Sequence, residues 1–240
     1  MKNLTKTFVS ILTLTTSFLS WGNEVVVSLD RTDDGALIVS DIIDFPRTSK
    51  NELFAKSVIA TRDNITGEND VLEEIDFKDE KIFFVKSISN GKGGGKLLDK
   101  EIATYKFAVT VTPSSDALLL TVDDMWVTYK DKGILQKTTP IGSLKDDNSR
   151  QDALKKEFVN ILSNFLNQYV QDVRNAEYQK ISHWDEIEKG RVVKGMTQYE
   201  VKVLKGSPRN ESKNGERVKW MYANDNVVIF TNGVVTSVID

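Results

Sequence analysis

The stretch SRQDALKKEFVNILSNFLNQYVQDVRNAEY, Ser149 to Tyr178, carries the strongest helical pattern in the chain. Its apolar residues recur at steps of three and four, the spacing of one face of an α-helix. They are Leu154, Phe158, Ile161, Leu162, Phe165, Leu166, Tyr169 and Val173. The pattern predicts a helix from about Arg150 to Tyr178, with Ser149 and Asp152 at its start. We expect its apolar stripe to cover a sheet of the same domain, and a partner-binding helix is the alternative.

The region before this helix has mainly strand character. β-branched and aromatic runs, often alternating with polar residues, are separated by clusters of Gly, Asp and Asn. The runs are EVVVSL, ALIVSDIIDF, KIFFVKSI, ATYKFAVTVT and ALLLTVDDMWVTY. A capping box from Ser49 to Glu52 predicts one further helix at about residues 50–62. The predicted fold class is therefore α+β, with an antiparallel sheet covered by the long helix, over a domain of residues 23–178.

The first 22 residues predict a secretory signal peptide. Lys2 and Lys6 precede an apolar run from Phe8 to Leu19, and small residues follow at the positions that determine cleavage. The run has about twelve residues, short of the ~20 of a membrane-spanning helix, so no membrane span is expected. With no cysteine in the chain, disulfides, thiolate metal sites and a lipid-modified cysteine anchor are excluded. We expect a periplasmic or secreted protein without a lipid anchor.

The charge of the chain disfavours nucleic acid as a partner. The formal net charge is −3, and removal of the signal peptide with its two lysines leaves about −5. These charges are spread along the chain without a long block of one sign.

The sequence pattern changes after Lys180, and the last 60 residues predict a second, smaller domain at 181–240. A short helix is expected around His183–Lys189, and a second helix from Gln198. Three short strands, VKWMY, NVVIF and VVTSVI, follow the polar segment NESKNGER. Asn224-Asp225-Asn226 and Asn232-Gly233 are turn signals between them, and Asn-Gly favours a hairpin turn with positive φ at both residues.

The segment GMTQYEVKVLKGSP, Gly195 to Pro208, is dense in special backbone positions, and each has a structural role. Thr197 to Glu200 is a capping box, so the helix begins at Gln198. Gly206 is expected to take a left-handed conformation at the helix end, and Pro208 prevents the helix from resuming. Gly195 permits a sharp turn before the cap. The segment therefore predicts scaffolding, with no nucleophile, base or ligand left over.

The C-terminal region, about residues 181–240, resembles the SmpA/OmlA, or BamE-like, domain family. The residues that carry the resemblance are Gly195, Met196, Thr197, Glu200, Val201, Gly206, Pro208, Trp220, Tyr222, Phe230 and Gly233. The resemblance implies a helical pair packed on a three-stranded sheet, with a fold related to the β-lactamase inhibitor protein. It also implies binding of proteins without catalysis. The type member is an outer-membrane lipoprotein of the β-barrel assembly machine, whereas this chain lacks the cysteine for a lipid anchor.

The N-terminal region, residues 35–178, resembles secreted domains of unknown function with a TBP-like fold. The similar features are the strand that ends at Ile43-Asp44-Phe45-Pro46 and the helix start from Ser49 to Phe54. A tryptophan expected late in that helix is replaced by the segment Ser57-Val58-Ile59. The resemblance implies a curved antiparallel sheet closed by a helix.

Two glycine-containing segments superficially resemble ligand sites. ISNGKGGGKLL, Ile88 to Leu98, lacks the first glycine and the Ser or Thr of a phosphate loop, so a loop between strands is expected. Its Lys92 and Lys96 are candidates for contact with an acidic partner. DRTDDGALIVSD, Asp30 to Asp41, has calcium-loop spacing but strand flanks, which favours a hairpin turn at Asp33-Asp34-Gly35 over a calcium site.

No residue pattern predicts a catalytic, metal or cofactor site. His183 is the single histidine, which excludes a multi-histidine metal centre, and Ser182 is expected to cap the short helix beside it. The acid pairs Asp123-Asp124 and Asp146-Asp147 are more consistent with solvated acids than with a glycosidase pair. Trp126, Tyr129, Trp220 and Tyr222 are expected in the core, with an exposed aromatic platform at Trp220 and Tyr222 as the alternative.

The sequence therefore predicts a non-catalytic protein-interaction module of the cell envelope, with a protein partner. The alternative is a soluble inhibitor or regulator of a secreted enzyme, by analogy with the inhibitor fold. A hydrolase that uses paired acids has the least support. No cofactor is expected.

Overall fold

The computed structural model describes residues 25, 27–32, 36–91, 103–131, 135–145, 148–223 and 226–239. These residues form two antiparallel sheets and four α-helices. The strands are β1 (Asp30–Arg31), β2 (Leu37–Asp44), β3 (Val71–Asp76), β4 (Lys81–Ser89), β5 (Thr104–Ser114), β6 (Ala117–Asp131), β7 (Leu135–Pro140), β8 (Asn210–Asn214), β9 (Arg217–Met221), β10 (Val227–Thr231) and β11 (Val234–Ile239). The helices are α1 (Lys50–Asn64), α2 (Ser149–Asn175), α3 (Trp184–Glu188) and α4 (Gln198–Lys205). The predicted signal peptide lies outside the described residues.

The first sheet has seven strands in the order β1-β2-β6-β5-β4-β3, and β7 also pairs with β6. Strand β6 is fifteen residues long, and its first half pairs with β2 while its second half pairs with β7. Strand β5 pairs with both halves of β6. Between the halves, β6 has a bulge opposite Phe107 of β5, and Asp124 in this bulge has a φ of +46°. Because side chains alternate along a strand, the sheet has one face for the core and one open face.

Helices α1 and α2 cover one face of the first sheet, as the sequence predicts. The rings of Phe158 and Phe165 lie 6.0 and 5.6 Å from the ring of Phe107 on β5. The hydroxyl of Tyr169 on α2 lies 3.0 Å from that of Thr61 on α1, and both residues are fully buried. This layer contains the main hydrophobic core.

The ends of the two long helices differ from the predicted ones. Helix α1 ends at Asn64. At its start only one of the two bonds of a capping box forms: the backbone amide of Glu52 donates to the Ser49 hydroxyl. The Glu52 carboxylate instead faces the ammonium group of Lys56, at 3.5 Å. Helix α2 begins with Asn148 as the cap, because the Asn148 side chain accepts the free amides of Arg150 and Gln151. It ends at Asn175, three residues before the predicted Tyr178.

The early end of α2 places Tyr178 in a contact that a continued helix would not make. After the extended residue Ala176, the ring of Tyr178 packs edge-on against Tyr199 of α4, with 6.2 Å between centroids. The chain thereby turns toward the C-terminal elements.

The second sheet is a meander of four strands in the order β8-β9-β10-β11, whereas the sequence predicts three. The added strand β8 is the segment NESKN within the polar run, and all five of its residues are exposed. The Asn232-Gly233 turn is confirmed, with φ values of +52° and +79°. The predicted turn at residues 224–226 lies mostly outside the described residues. Of its residues, Asn226 is described, and its backbone carbonyl accepts a hydrogen bond from the backbone amide of Tyr222.

One predicted strand is largely absent. In the segment EVVVSL, residues 25 and 27–29 have no strand pairing, and the short strand β1 follows them. Val25 is buried against α2 and exchanges hydrogen bonds with the Asn167 side chain, which replaces a strand partner. Strand β1 pairs antiparallel with β2, and the predicted hairpin turn at 33–35 lies outside the described residues.

Candidate functional site

The segment from Gly195 to Pro208 has the scaffolding geometry that its sequence predicts. Thr197 and Glu200 form a complete capping box, in which each side chain accepts the other's backbone amide, at 3.1 and 2.7 Å. Gly195 and Gly206 have φ values of +90° and +83°. The positive φ of Gly195 is the reason for glycine there, since a Cβ atom at this position would make only an ordinary contact with the ring of His183, at 3.5 Å.

Glu200 has a larger role than a cap. Its side chain is fully buried, and its carboxylate accepts the backbone amides of Ser182, His183 and Thr197 at 2.6 to 2.9 Å. The Nδ1 atom of His183 lies 3.1 Å from both carboxylate oxygens. Burial raises the pKa of Glu200, but the hydrogen bonds from Thr197, Ser182 and His183 outweigh it and hold the pKa below its usual value.

This arrangement corrects the predicted start of α3. Ser182 was expected to cap the helix, but His183 occupies the cap position and offers no side-chain bond to the helix. The amides that precede α3 are bound by Glu200, which belongs to a different helix. His183 thus has a clear structural partner and is placed beside a carboxylate that is already saturated with donors.

The C-terminal end of α4 is held by groups from both parts of the chain. Arg62, at the end of α1, donates from its guanidinium to the carbonyl of Leu204 at 2.8 Å. The hydroxyl of Tyr222 donates to the carbonyl of Gly206 at 3.1 Å. Burial lowers the pKa of Arg62, although the guanidinium stays charged. A cation at this helix end also complements the helix dipole.

Helix α4 joins the two hydrophobic cores. Tyr199 and Val203 belong to the core of the first sheet, whereas Val201 and Leu204 belong to the core of the second. The predicted motif residues Met196, Trp220 and Phe230 are buried in this second core, and the rings of the last two lie 4.7 Å apart.

Trp220 and Tyr222, the predicted aromatic platform, have little surface to offer a partner. Trp220 is only 7% exposed, and its indole nitrogen donates to Glu211 at 2.9 Å. Tyr222 is half-buried against the second core. These positions favour core packing over an exposed platform.

Trp220 also borders a cleft of about 590 Å³ between the ends of α1 and α2 and helix α4. Three carboxylates, those of Asp63, Asp172 and Glu177, line it together with Lys202. The Asp172 carboxylate accepts hydrogen bonds from the side-chain amides of Asn64 and Gln168. The cleft is open and its lining is as much apolar as polar, and no nucleophile with an adjacent base lies among its described residues.

The other predicted chemical candidates do not converge on a common site. Asp123 and Asp124 lie at the β6 bulge, where burial and the neighbouring Asp124 raise the pKa of Asp123, and Asp124 accepts the indole N–H of Trp126. Lys92, Lys96 and the pair Asp146-Asp147 lie outside the described residues. Within the described ranges, no cluster of His, Cys, Asp or Glu is arranged to hold a metal ion. In the same ranges, no helix combines the length and hydropathy needed to cross a membrane.

The exposed apolar side chains point to a different kind of site. Among the described residues, the large hydrophobics that are exposed all lie on the open faces of the two sheets, opposite the cores. They are Ile42, Val71 and Phe83 on the first sheet and Val234 and Ile239 on the second. Sheet faces of this kind are candidate contact surfaces for proteins.

The open face of the second sheet combines apolar and basic residues. Its outward residues, which alternate with the buried ones, form one stripe on each strand. The stripes are Asn210, Ser212 and Asn214 on β8, Arg217, Lys219 and Met221 on β9, Val227, Ile229 and Thr231 on β10, and Val234, Ser237 and Ile239 on β11. None of these described residues is acidic, and neither cation makes an ion pair with another described residue.

The sequence analysis did not identify this face, although a signal for it was present. In the segment RVKWM the cations alternate with buried apolar residues, the period-two pattern of a half-buried strand. Strand β8, which pairs with β9, was not predicted. Without it, the polar residues of β9 have no neighbouring strand on one side, and the sequence does not reveal a continuous sheet face.

Comparisons with known proteins bear on the fold of the N-terminal region. No family model matches the chain, and no curated protein does so. The solved structures that are similar include those of two bacterial proteins. One is a TBP-like protein from Parabacteroides distasonis ATCC 8503, at 16% identity and a TM-score of 0.50, over 61% of this chain and 97% of that one. The other is a DUF4468 family protein from Bacteroides ovatus ATCC 8483, at 12% identity and a TM-score of 0.50, over 66% and 96%.

These similarities confirm the TBP-like α+β fold predicted for the N-terminal region and concern fold alone. No finding supports the resemblance of the C-terminal region to the SmpA/OmlA family, which stays a prediction.

Proposed function

We propose that this chain is a non-catalytic protein-binding module of the cell envelope, periplasmic or secreted, that engages its partner through the open face of the second sheet. The observation that carries the proposal is the composition of that face. It presents Met221, Val227 and Ile239 beside Arg217 and Lys219, with no carboxylate among its described residues.

This composition suits binding better than it suits stability. Exposed apolar side chains gain free energy only when a partner covers them. The two cations lie in neighbouring rows of β9, where they can steer an acidic partner to the apolar stripe. The BamE-like resemblance of this region, with its habit of binding envelope proteins, agrees with such a role.

The test is photo-crosslinking in cells that express the protein, from a benzophenone side chain at Ser237 and at Ser212, both on this face. Asn164, an exposed residue of α2, is the matched control position. We expect one captured protein from both sheet positions and none from Asn164. Loss of that product in the double variant Arg217→Glu, Lys219→Glu would show that the cations contribute.

The identity of the captured protein decides between the candidate functions. Capture of outer-membrane barrel or assembly components supports an envelope role, and capture of a single soluble enzyme supports the inhibitor alternative. Equal capture from Asn164 and from the sheet positions, or no capture at any of them, would refute the proposal.

A further inference from the structure

The open face of the first sheet differs from that of the second because its centre lacks charge. Phe83, Thr110 and Thr121 are neighbours in one cross-strand row, and Thr112, Leu119 and Ile42 are neighbours in the next. All six point away from helices α1 and α2. Ile42 is 65% exposed and Phe83 is 36% exposed.

Charged side chains surround this neutral centre. Glu74 is next to Phe83 at the β3 edge, and Asp123 is in the row beyond Thr121. Lys81 lies on the same face beside Asp76 of β3, and Lys106 lies on it two rows beyond Thr110 along β5. A charge-depleted centre with a polar rim of both signs is the composition of a protein–protein interface.

The size of the face agrees with a stable interface. Its five main strands span roughly 24 Å at about 4.8 Å per strand, and the eleven residues of β5 span roughly 35 Å. The face therefore covers on the order of 800 Å², and stable interfaces bury about 800 Å² on each partner.

We infer that two copies of this chain form a symmetric dimer in which the open faces of their first sheets pack together. The neutral centre has no net charge that would select an oppositely charged partner, and a rim with both signs can pair with a copy of itself. Sheets pack face to face about 10 Å apart, a distance that Thr, Leu, Ile and Phe side chains fill. The dimer is independent of the proposed function, since the two faces belong to different sheets.

The first test is sedimentation velocity on the purified protein, between about 1 and 100 µM, a range that brackets a dimer Kd near 1 to 10 µM. We expect a shift from the mass of one chain to the mass of two. A single-chain mass throughout this range would overturn the inference.

Variants locate the interface. Phe83→Glu and Thr110→Arg each place a charge in the neutral centre and are expected to raise the dimer Kd at least about tenfold. The matched control is Ile239→Glu, which alters an apolar residue of the second sheet that is more exposed than Phe83. Near-ultraviolet circular dichroism establishes that each variant is folded. A dimer that resists both central changes, or that dissociates with Ile239→Glu, contradicts the inference.

The absence of cysteine from the sequence permits a direct check. In a two-fold dimer, a residue near the axis lies beside its own copy. Sheets packed about 10 Å apart hold facing Cα atoms beyond the about 7 Å that a disulfide needs, so a short bis-maleimide is used to join the two cysteines. We would introduce one cysteine at a time at Phe83, Thr110, Leu119 and Thr121, with Ser237 as the control. Dimers crosslinked by the bis-maleimide are expected from at least one central position. None from these positions, or a dimer from Ser237 alone, would overturn the inference.

Discussion

Helix α2 buries one apolar stripe against the first sheet, whereas helix α4 is covered on both sides, by the core of each sheet. Helix α2 has 27 residues and α4 has eight. An isolated helix of eight residues is unstable in water, so the shorter helix depends on its surroundings. Its ends are fixed by polar groups, Glu200 at the first turn and Arg62 at the last.

The contrast teaches that one chain can position helices in two ways. The free energy that places α2 is distributed over many apolar contacts, each non-directional. Helix α4 adds to its apolar burial a few directional bonds at its two ends, several of which come from residues distant in sequence. Substitutions that separate apolar burial from directional bonding test this difference.

The largest effect is expected at Phe158 of α2. Phe158→Ala should lower the free energy of unfolding by about 3 to 5 kcal/mol, because the ring is fully buried against Tyr105 and Phe107 and its loss leaves a cavity. Chemical denaturation measures the change. Asn164→Ala, on the exposed side of the same helix, should change it by less than about 0.5 kcal/mol. Similar losses for the two variants would mean that α2 is not held by its stripe.

The next largest effect is expected at Glu200 of α4. Glu200→Gln should cost about 3 kcal/mol, since a buried carboxylate with charge-assisted bonds to three backbone amides is replaced by a neutral amide. Hydrogen exchange at the amides of Ser182, His183 and Thr197 should become faster. The control is Glu188→Gln, at an exposed position of α3. If Glu188→Gln were equally costly, the contrast between the two helices would lose its basis.

The same carboxylate predicts an effect of pH. Because the pKa of Glu200 is lower in the folded state than in the unfolded chain, its contribution is complete above the unfolded value, near 4.5. The contribution is lost as the pH falls through the folded pKa. Urea unfolding of the protein and of Glu200→Gln should therefore differ strongly at pH 7 and less below pH 4. A difference that stays constant with pH would show that the charge of Glu200 is unimportant.

Arg62 should have an intermediate effect. Arg62→Met keeps much of the side-chain packing but leaves the carbonyl of Leu204 without its donor, at an expected cost of about 1.5 to 2 kcal/mol. Thermal unfolding measures it, with the exposed Arg209→Met as the control. An unchanged midpoint would indicate that the bond between α1 and α4 adds nothing to stability.

The smallest effect is expected at Thr197. Thr197→Ala removes the hydroxyl that accepts the Glu200 amide and should cost about 1 kcal/mol, the typical value of an N-terminal cap. Binding of the partner by the folded fraction should be unchanged, because the hydroxyl serves the helix start. Loss of partner binding with stability intact would mean that the segment from Gly195 to Pro208 is a site and not scaffolding.

The parts of the fold that were predictable are those with a local signal. The stripe of α2, the capping box at Thr197 and the Asn232-Gly233 turn each follow from residues close together in sequence. The unpredicted strands are β1, β3, β7 and β8, which are short and lack a continuous buried side. Their pairing is set by the neighbouring strand and not by their own alternation.

The candidate site was less predictable for a related reason. Trp220 and Tyr222 were identifiable as strand aromatics, but their burial depends on where α4 packs. The partner of Arg62 is Leu204, which is 142 residues away, and no local pattern connects the two. The outward stripes of the second sheet become visible only once all four strands are placed.

The separation in sequence between paired residues has a consequence for the order of folding. In the second sheet, the bonded side chains of Trp220 and Glu211 are 9 residues apart, and those of Thr231 and Thr236 are 5 apart. In the first layer, Tyr169 meets Thr61 over 108 residues and Val25 meets Asn167 over 142. Contacts between distant residues form slowly, and a chain synthesised from the N-terminus cannot complete its first layer until α2 has been made. The hairpins made last can therefore close first.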